Sequence, residues 1–128
     1  MMQPDTLAPL PQAGRLQEAL VCYSNALEAG PTTAVAAAIH LNRALLHLKL
    51  GRPEDCIIDC TTSLELAPDD DFQLTIYRRA EARVALGQLQ EAMRDLTLVL
   101  GKDPHNPPCS ALACKVQAMM QNGVSSEA

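Results

Sequence analysis

One stretch of this chain is written twice at a fixed interval. Ala44, Gly51, Cys56, Cys60, Ser63 and Pro68 return as Ala80, Gly87, Ala92, Leu96, Val99 and Pro104, each pair 36 residues apart. Inside each copy a small residue stands where two helices can cross, and a glycine follows seven residues on. A second small residue then opens another helical run, and a proline closes it. That order describes a helix, a turn and a second helix folded back on the first. Such a hairpin cannot bury its own apolar face, so copies of it must stack side by side. The fold class this imposes is all-α, a solenoid of antiparallel helical hairpins. Upstream, Gly14, Ala19, Tyr23, Ala26 and Pro31 match only the turn and the second helix, so a first hairpin is expected without its first helix.

The unit resembles the tetratricopeptide repeat, whose helix-turn-helix period is about 34 residues. The extra length fits in Asp69-Asp70-Asp71, a loop where an insertion costs little. The domain plan that follows has a proline-rich, extended leader over 1–12 and a repeat domain over 13–106. A capping helix over 107–122 and a tail over 123–128 complete it. Within the repeat domain the partial unit takes 13–32, and the complete units take 37–70 and 73–106.

Local signals place the helices. Pro4, Pro9 and Pro11 argue against a helix in the leader, so the first is expected to begin near Gly14 or Arg15 and to run to Ala29. A second spans Thr33 to Leu50 and stops at Gly51, and a third opens at Pro53, whose missing N–H is harmless in a first turn. Asp69 to Asp71 can cap a fourth helix ending near Leu86, with Gly87 as its stop. Gln88 to Leu100 gives a fifth, ended by Gly101 and Pro104. Asn106 can cap a sixth that admits Pro107 and Pro108 in its first turn and covers the end of the stack with Leu112, Val116 and Met119.

Composition excludes several classes of function. The net charge of −5 disfavours bulk attraction to nucleic acid or to acidic membrane. No run of 18 apolar residues suggests a membrane span. Five cysteines, an odd number, in a chain able to bury a helical core read as free thiols, and the cytosol is the expected compartment. Only three residues are aromatic, which suits thin helix pairs packed through alanine and leucine.

Side chains with chemical potential have plainer explanations. Cys56 and Cys60 are four apart on one helix, but they fall where the repeat needs buried small residues, so core packing outweighs metal binding. His40 and His47 share a helical face without a carboxylate partner in any recognised motif, and His105 lies in a loop. No phosphate loop, nucleophile elbow or metalloprotease motif occurs, so neither enzymatic activity nor a cofactor is expected.

Binding is the expected role, on the concave face lined by the first helices of successive hairpins. Leu41, Asn42 and Leu45 stand there, with Leu74, Tyr77, Arg78 and Glu81 on the next hairpin. Asn42 and Arg78 occupy the same repeat position and should be neighbours. An amide beside a guanidinium suits a peptide backbone and a carboxylate. The plainer alternatives are a local hydrogen bond for Asn42 and a salt bridge to Glu81 for Arg78.

The segments Asn42-Arg43-Ala44, Leu48-Lys49-Leu50-Gly51, Leu64-Glu65-Leu66-Ala67-Pro68 and Tyr77-Arg78-Arg79-Ala80 resemble the co-chaperone class of tetratricopeptide domains. That class includes the Hsp-organising protein and the UNC-type myosin chaperones. The resemblance implies a groove that grips the acidic C-terminus of a heat-shock chaperone through a carboxylate clamp. Asn42 matches the clamp asparagine of the middle hairpin, and Arg78 matches the clamp arginine of the last. The clamp lysine four residues before that arginine is Leu74 here, and the clamp residues of the first hairpin have no counterpart.

Two readings follow. In one, the chain is a non-enzymatic adaptor or co-chaperone holding a peptide in its groove. In the other, it is an assembly subunit, homodimer included, that associates through the incomplete first hairpin by way of Leu16, Leu20 and Tyr23.

Overall fold

Gly30, Gly51 and Gly87 take φ of 76°, 77° and 77°, and each stands just past the end of a helix. This left-handed conformation closes a helix at little steric cost when no Cβ is present. The computed structural model describes residues 11–127, with side chains described over 14–122. Among them are six helices: α1 (Pro11–Glu28), α2 (Thr33–Lys49), α3 (Pro53–Leu66), α4 (Phe72–Ala85), α5 (Leu89–Lys102) and α6 (Pro107–Glu127). Each helix packs on the next, α2 also meets α4, and α4 also meets α6. The first helices of successive hairpins therefore form a continuous inner row, as a solenoid of hairpins requires.

Small residues set the crossings. Ala44, Cys56, Cys60 and Ala82 are buried together where α2, α3 and α4 converge. Ile76, Ala80, Ala92, Leu96, Val99, Cys109 and Val116 form the larger core of α4, α5 and α6. Full burial of side chains such as Ile76, Leu96 and Val116 contributes about 1.5–3 kcal/mol each. The outer side of α6 exposes Ser110, Cys114, Lys115, Gln117 and Gln121. No large apolar residue is exposed on α6 among the described residues, as suits the capping helix of a stack.

A buried polar clasp recurs in both complete hairpins. Arg43 donates from Nε to Asp59 Oδ2 at 2.9 Å and from Nη2 to Asp59 Oδ1 at 2.8 Å. Arg79 holds Asp95 in the same bidentate way, at 3.1 and 2.7 Å. The third donor of each arginine reaches back to the preceding hairpin, to Ser24 Oγ at 3.2 Å and to Thr61 Oγ1 at 3.3 Å. One guanidinium thus fixes its own hairpin and ties it to its neighbour. Hydrogen bonding to Asp59 raises the Arg43 pKa. Around Asp59 stand His40, with Nδ1 at 2.9 Å, and His47, with Nε2 at 3.5 Å. Around Asp95 the position of His47 is taken by Arg83, at 2.9 Å. The carboxylate partner that the sequence did not reveal for the two histidines is Asp59.

Several expected boundaries need correction. α1 begins at Pro11, inside the segment expected to be extended, because a proline is tolerated in a first turn. Gly14 is accordingly helical and turns nothing, while the remainder of the leader, 1–10, lies outside the described residues. Asp71 stands at the head of α4 but makes no side-chain cap, since its backbone is left-handed at φ 51°. One turn on, Thr75 Oγ1 donates to the Asp71 carbonyl at 2.9 Å. Gly101 does not end α5, which runs to Lys102, and α6 continues through Gly123 to Glu127, over most of the expected tail. A glycine in a helix interior costs only about 1 kcal/mol and does not by itself stop one. Asn106 does cap α6, with Oδ1 accepting from the Cys109 N–H at 3.1 Å.

Candidate peptide-binding groove

The inner row of α2, α4 and α6 carries the residues singled out from the sequence, in different states of exposure. Asn42 is exposed on α2, and its amide has no hydrogen-bond partner among the described residues. Arg78 extends from α4 across to α2, where Nη1 donates to the Leu41 carbonyl at 2.9 Å. The side chain is thus braced by the backbone of the neighbouring hairpin and not by Glu81. A guanidinium has five donors, so others remain for a ligand. Leu41 is 4% exposed. This limits its expected role as a contact residue, because Leu41 is nearly covered where it borders a cavity with Ala38 and Ser63, and its carbonyl accepts from Arg78. Leu45 is half-buried.

Beneath Arg78 lie the two buried thiols of α3. Cys56 Sγ donates to the Arg78 carbonyl at 3.9 Å. A hydrogen bond between the two thiols lowers the Cys56 pKa and, with burial, pushes Cys60 far up. The pair belongs to the wall between hairpins. Among the described residues no group of three His, Cys, Asp or Glu is placed to hold a metal ion.

Leu74 and Tyr77 share a cavity of about 690 Å³ between the starts of α4 and α6. Phe72, Pro108 and Cys109 complete its apolar lining, and Asp69, Asp71 and Lys102 bring charge to it. Leu74 remains 42% exposed. Burial and the neighbouring Glu81 carboxylate raise the Tyr77 pKa, so the phenol is neutral over the whole physiological range. Gln73 and Asn106 brace the cavity against each other, Asn106 Nδ2 donating to Gln73 Oε1 at 2.9 Å. Sequence reasoning named Leu74 and Tyr77 but missed Phe72, Lys102 and the three-way meeting of α4, α5 and α6, because that meeting depends on how α6 docks.

Of the three residues expected to form an interface on α1, Leu20 is taken up inside the chain. Leu20 is 7% exposed, and Leu16 and Tyr23 are half-buried. Leu20 shares a cavity wall with Arg43 and His47 of α2. The open side of α1 carries Cys22 and Ala26, both exposed.

Comparison with known proteins adds sequence and structural relatives. A family profile described as "Tetratricopeptide repeat" matches residues 37–70. The "FK506-binding protein-like" of Rattus norvegicus is 36% identical over 100 residues, which cover 74% of this chain and 28% of that protein. The chain therefore spans little more than a quarter of this relative. Among solved structures, the second TPR domain of human RPAP3, in complex with the HSP70 peptide SGPTIEEVD, matches with a TM-score of 0.70 and 30% identity. That match covers 88% of this chain and 90% of that one. The first TPR of Spaghetti (RPAP3), bound to the HSP90 peptide SRMEEVD, matches with a TM-score of 0.72 and 27% identity, over 86% of this chain and 85% of that one.

Proposed function

The chain belongs to the tetratricopeptide-repeat family, and from that premise we propose that it is a non-enzymatic module that holds the acidic C-terminal peptide of a heat-shock chaperone in the groove of α2, α4 and α6. The observation that carries the reading is Arg78. It stands on the inner row, its side chain is braced by the Leu41 carbonyl at 2.9 Å, and the exposed amide of Asn42 lies on the adjacent helix. A preset guanidinium beside a free amide matches a terminal carboxylate and the peptide group next to it. Related domains support the ligand class, since both peptides named with them end in Glu-Glu-Val-Asp. The same reading assigns the contact surface to Asn42, Leu45, Leu74, Tyr77, Arg78 and Glu81, and places the protein in the cytosol, where its free thiols stay reduced.

The test is a titration of the purified chain with a free-acid peptide ending in Glu-Glu-Val-Asp and with its C-terminal amide. The free acid is expected to bind the more tightly, and Arg78→Ala to weaken it by about 1.5–3 kcal/mol, the range of a hydrogen bond to a charged group. Equal binding of acid and amide, or an Arg78→Ala variant that binds like the parent, would sink the proposal.

A second reading, assembly through α1, rests on one observation. Cys22 and Ala26 are exposed, whereas their register counterparts on α3, Asp59 and Ser63, are 2% and 3% exposed beneath α2.

A further inference from the structure

A second cavity, of about 380 Å³, lies between α1, the C-terminal half of α2 and the turn into α3, and none of the groove residues lines it. Its polar lining is made of donors. Arg43 and His47 stand in it with side chains 23% and 14% exposed, Arg52 joins them from the turn, and Gln17, Ser24 and Asn25 come from α1. Among the described residues no carboxylate lines it. Asp59 holds Arg43 from behind and balances its charge, and Asp55, whose Oδ2 lies 3.9 Å from His47 Nδ1, is exposed outside the lining. Arg52 is exposed and forms no ion pair among the described residues, so its charge is uncompensated. Two polar atoms of the lining are also left without a partner. His47 Nδ1 is buried and makes no hydrogen bond among the described residues. Ser24 Oγ accepts from Arg43 at 3.2 Å, but its own O–H, unlike those of Thr62 and Thr97, donates to no helix carbonyl among them.

The stack holds its own comparison for this lining. Where the next hairpin begins, Arg79 reaches back to Thr61 as Arg43 reaches back to Ser24. There, however, Glu54 stands at the repeat position of Gln17, and Gln88 at that of Arg52. The repeat therefore requires the clasp but not the donor lining, which belongs to the first junction. Donors converging from α1, α2 and the turn suit an oxyanion with acceptors on several sides. A carboxylate has two oxygens in one plane, which a single guanidinium satisfies. A phosphate monoester presents three terminal oxygens. It also meets His47 in either state, since a protonated ring donates from Nδ1 and a neutral ring accepts from a P–O–H. We infer that this cavity binds a phosphate group, held by Arg52, the spare donors of Arg43, His47 Nδ1 and the Ser24 hydroxyl. The inference does not depend on the peptide groove, which lies on other residues.

The experiment is a titration of the full chain with inorganic phosphate at fixed pH and ionic strength, read by the nuclear magnetic resonance signals of the His47 ring and the Arg52 Nε–H. Saturating shifts in the millimolar range are expected, and acetate at the same ionic strength should leave both signals in place. Two variants, Arg52→Gln and Gln17→Glu, each give the first junction one feature of the second. Both positions are exposed, and Arg52 makes no side-chain cap for α3, so the variants keep the fold, as far-ultraviolet dichroism and melting curves check. Each is expected to weaken phosphate by roughly two- to fivefold, the range of an exposed ion pair. N-acetylphosphoserine amide separates the sources of the group. Tighter binding of it than of inorganic phosphate assigns the cavity to a phosphorylated side chain of a partner, and the reverse order assigns it to free phosphate. The absence of a saturating shift with either probe overturns the inference. Equal shifts with acetate, or an Arg52→Gln variant that binds phosphate like the parent, overturn it as well.

Discussion

Asp95 is 2% exposed and accepts from two guanidinium groups, Arg79 on one side and Arg83 on the other. Removing it strands two cations that cannot give up their protons, in a site shielded from water. Asp95→Ala is therefore expected to destabilise the fold by about 3–5 kcal/mol, the cost of breaking a buried ion pair by deleting one partner. Asp59→Ala should cost less, since it strands one arginine where Asp95→Ala strands two. Urea unfolding of the two variants checks the order, and a smaller loss for Asp95→Ala than for Asp59→Ala would contradict this account of the clasp. The same comparison separates Arg79 from Arg78. One sequence neighbour holds the scaffold, and the other, braced only by a backbone carbonyl, keeps donors for a ligand.

At the scale of helices, two glycines in the same register position have opposite roles. Gly87 ends α4 at φ 77°, where a Cβ is strained, so Gly87→Ala should lose about 1 kcal/mol or more. Gly14 lies within α1, with open space where a Cβ would stand, so Gly14→Ala should gain up to about 1 kcal/mol. Thermal melts of the pair test whether α1 is helical at residue 14, and a loss in both variants would restore Gly14 to a turn. These two positions also show how far the sequence could be read. The 36-residue interval gave the hairpins, the crossings at Ala44 and Ala80, and the inner row with Asn42 and Arg78, because each depends on spacing alone. Arg43 with Asp59 and Arg79 with Asp95 recur at that interval too, so the spacing also carried the signal of the clasp. The cavity at Leu74 and Tyr77 was not legible, because its other walls come from the end of α5 and the start of α6. Leu20 was misplaced for a similar reason, since the face of α1 turned to α2 depends on the angle at which the two helices dock.

The molecule as a whole is unequal from end to end. Its larger core joins α4, α5 and α6. At the other end Leu20 is the only buried residue of α1 among those described, and one hydrogen bond, from Arg43 to Ser24, ties its side chains to α2. Stability in a stack of hairpins is close to a sum of neighbour contacts, so opening should begin where they are fewest. Hydrogen exchange in the native state is expected to be fastest in the α1 amides and slowest in α4 and α5. Uniform protection across the six helices would show that the stack opens as one unit. The weak seat of α1 also has a mechanical meaning. Under a load drawn across the two ends of the chain, α1 peels away first and at low force, baring Arg43 and His47 on the helix beneath while the groove residues of α4 stay in place.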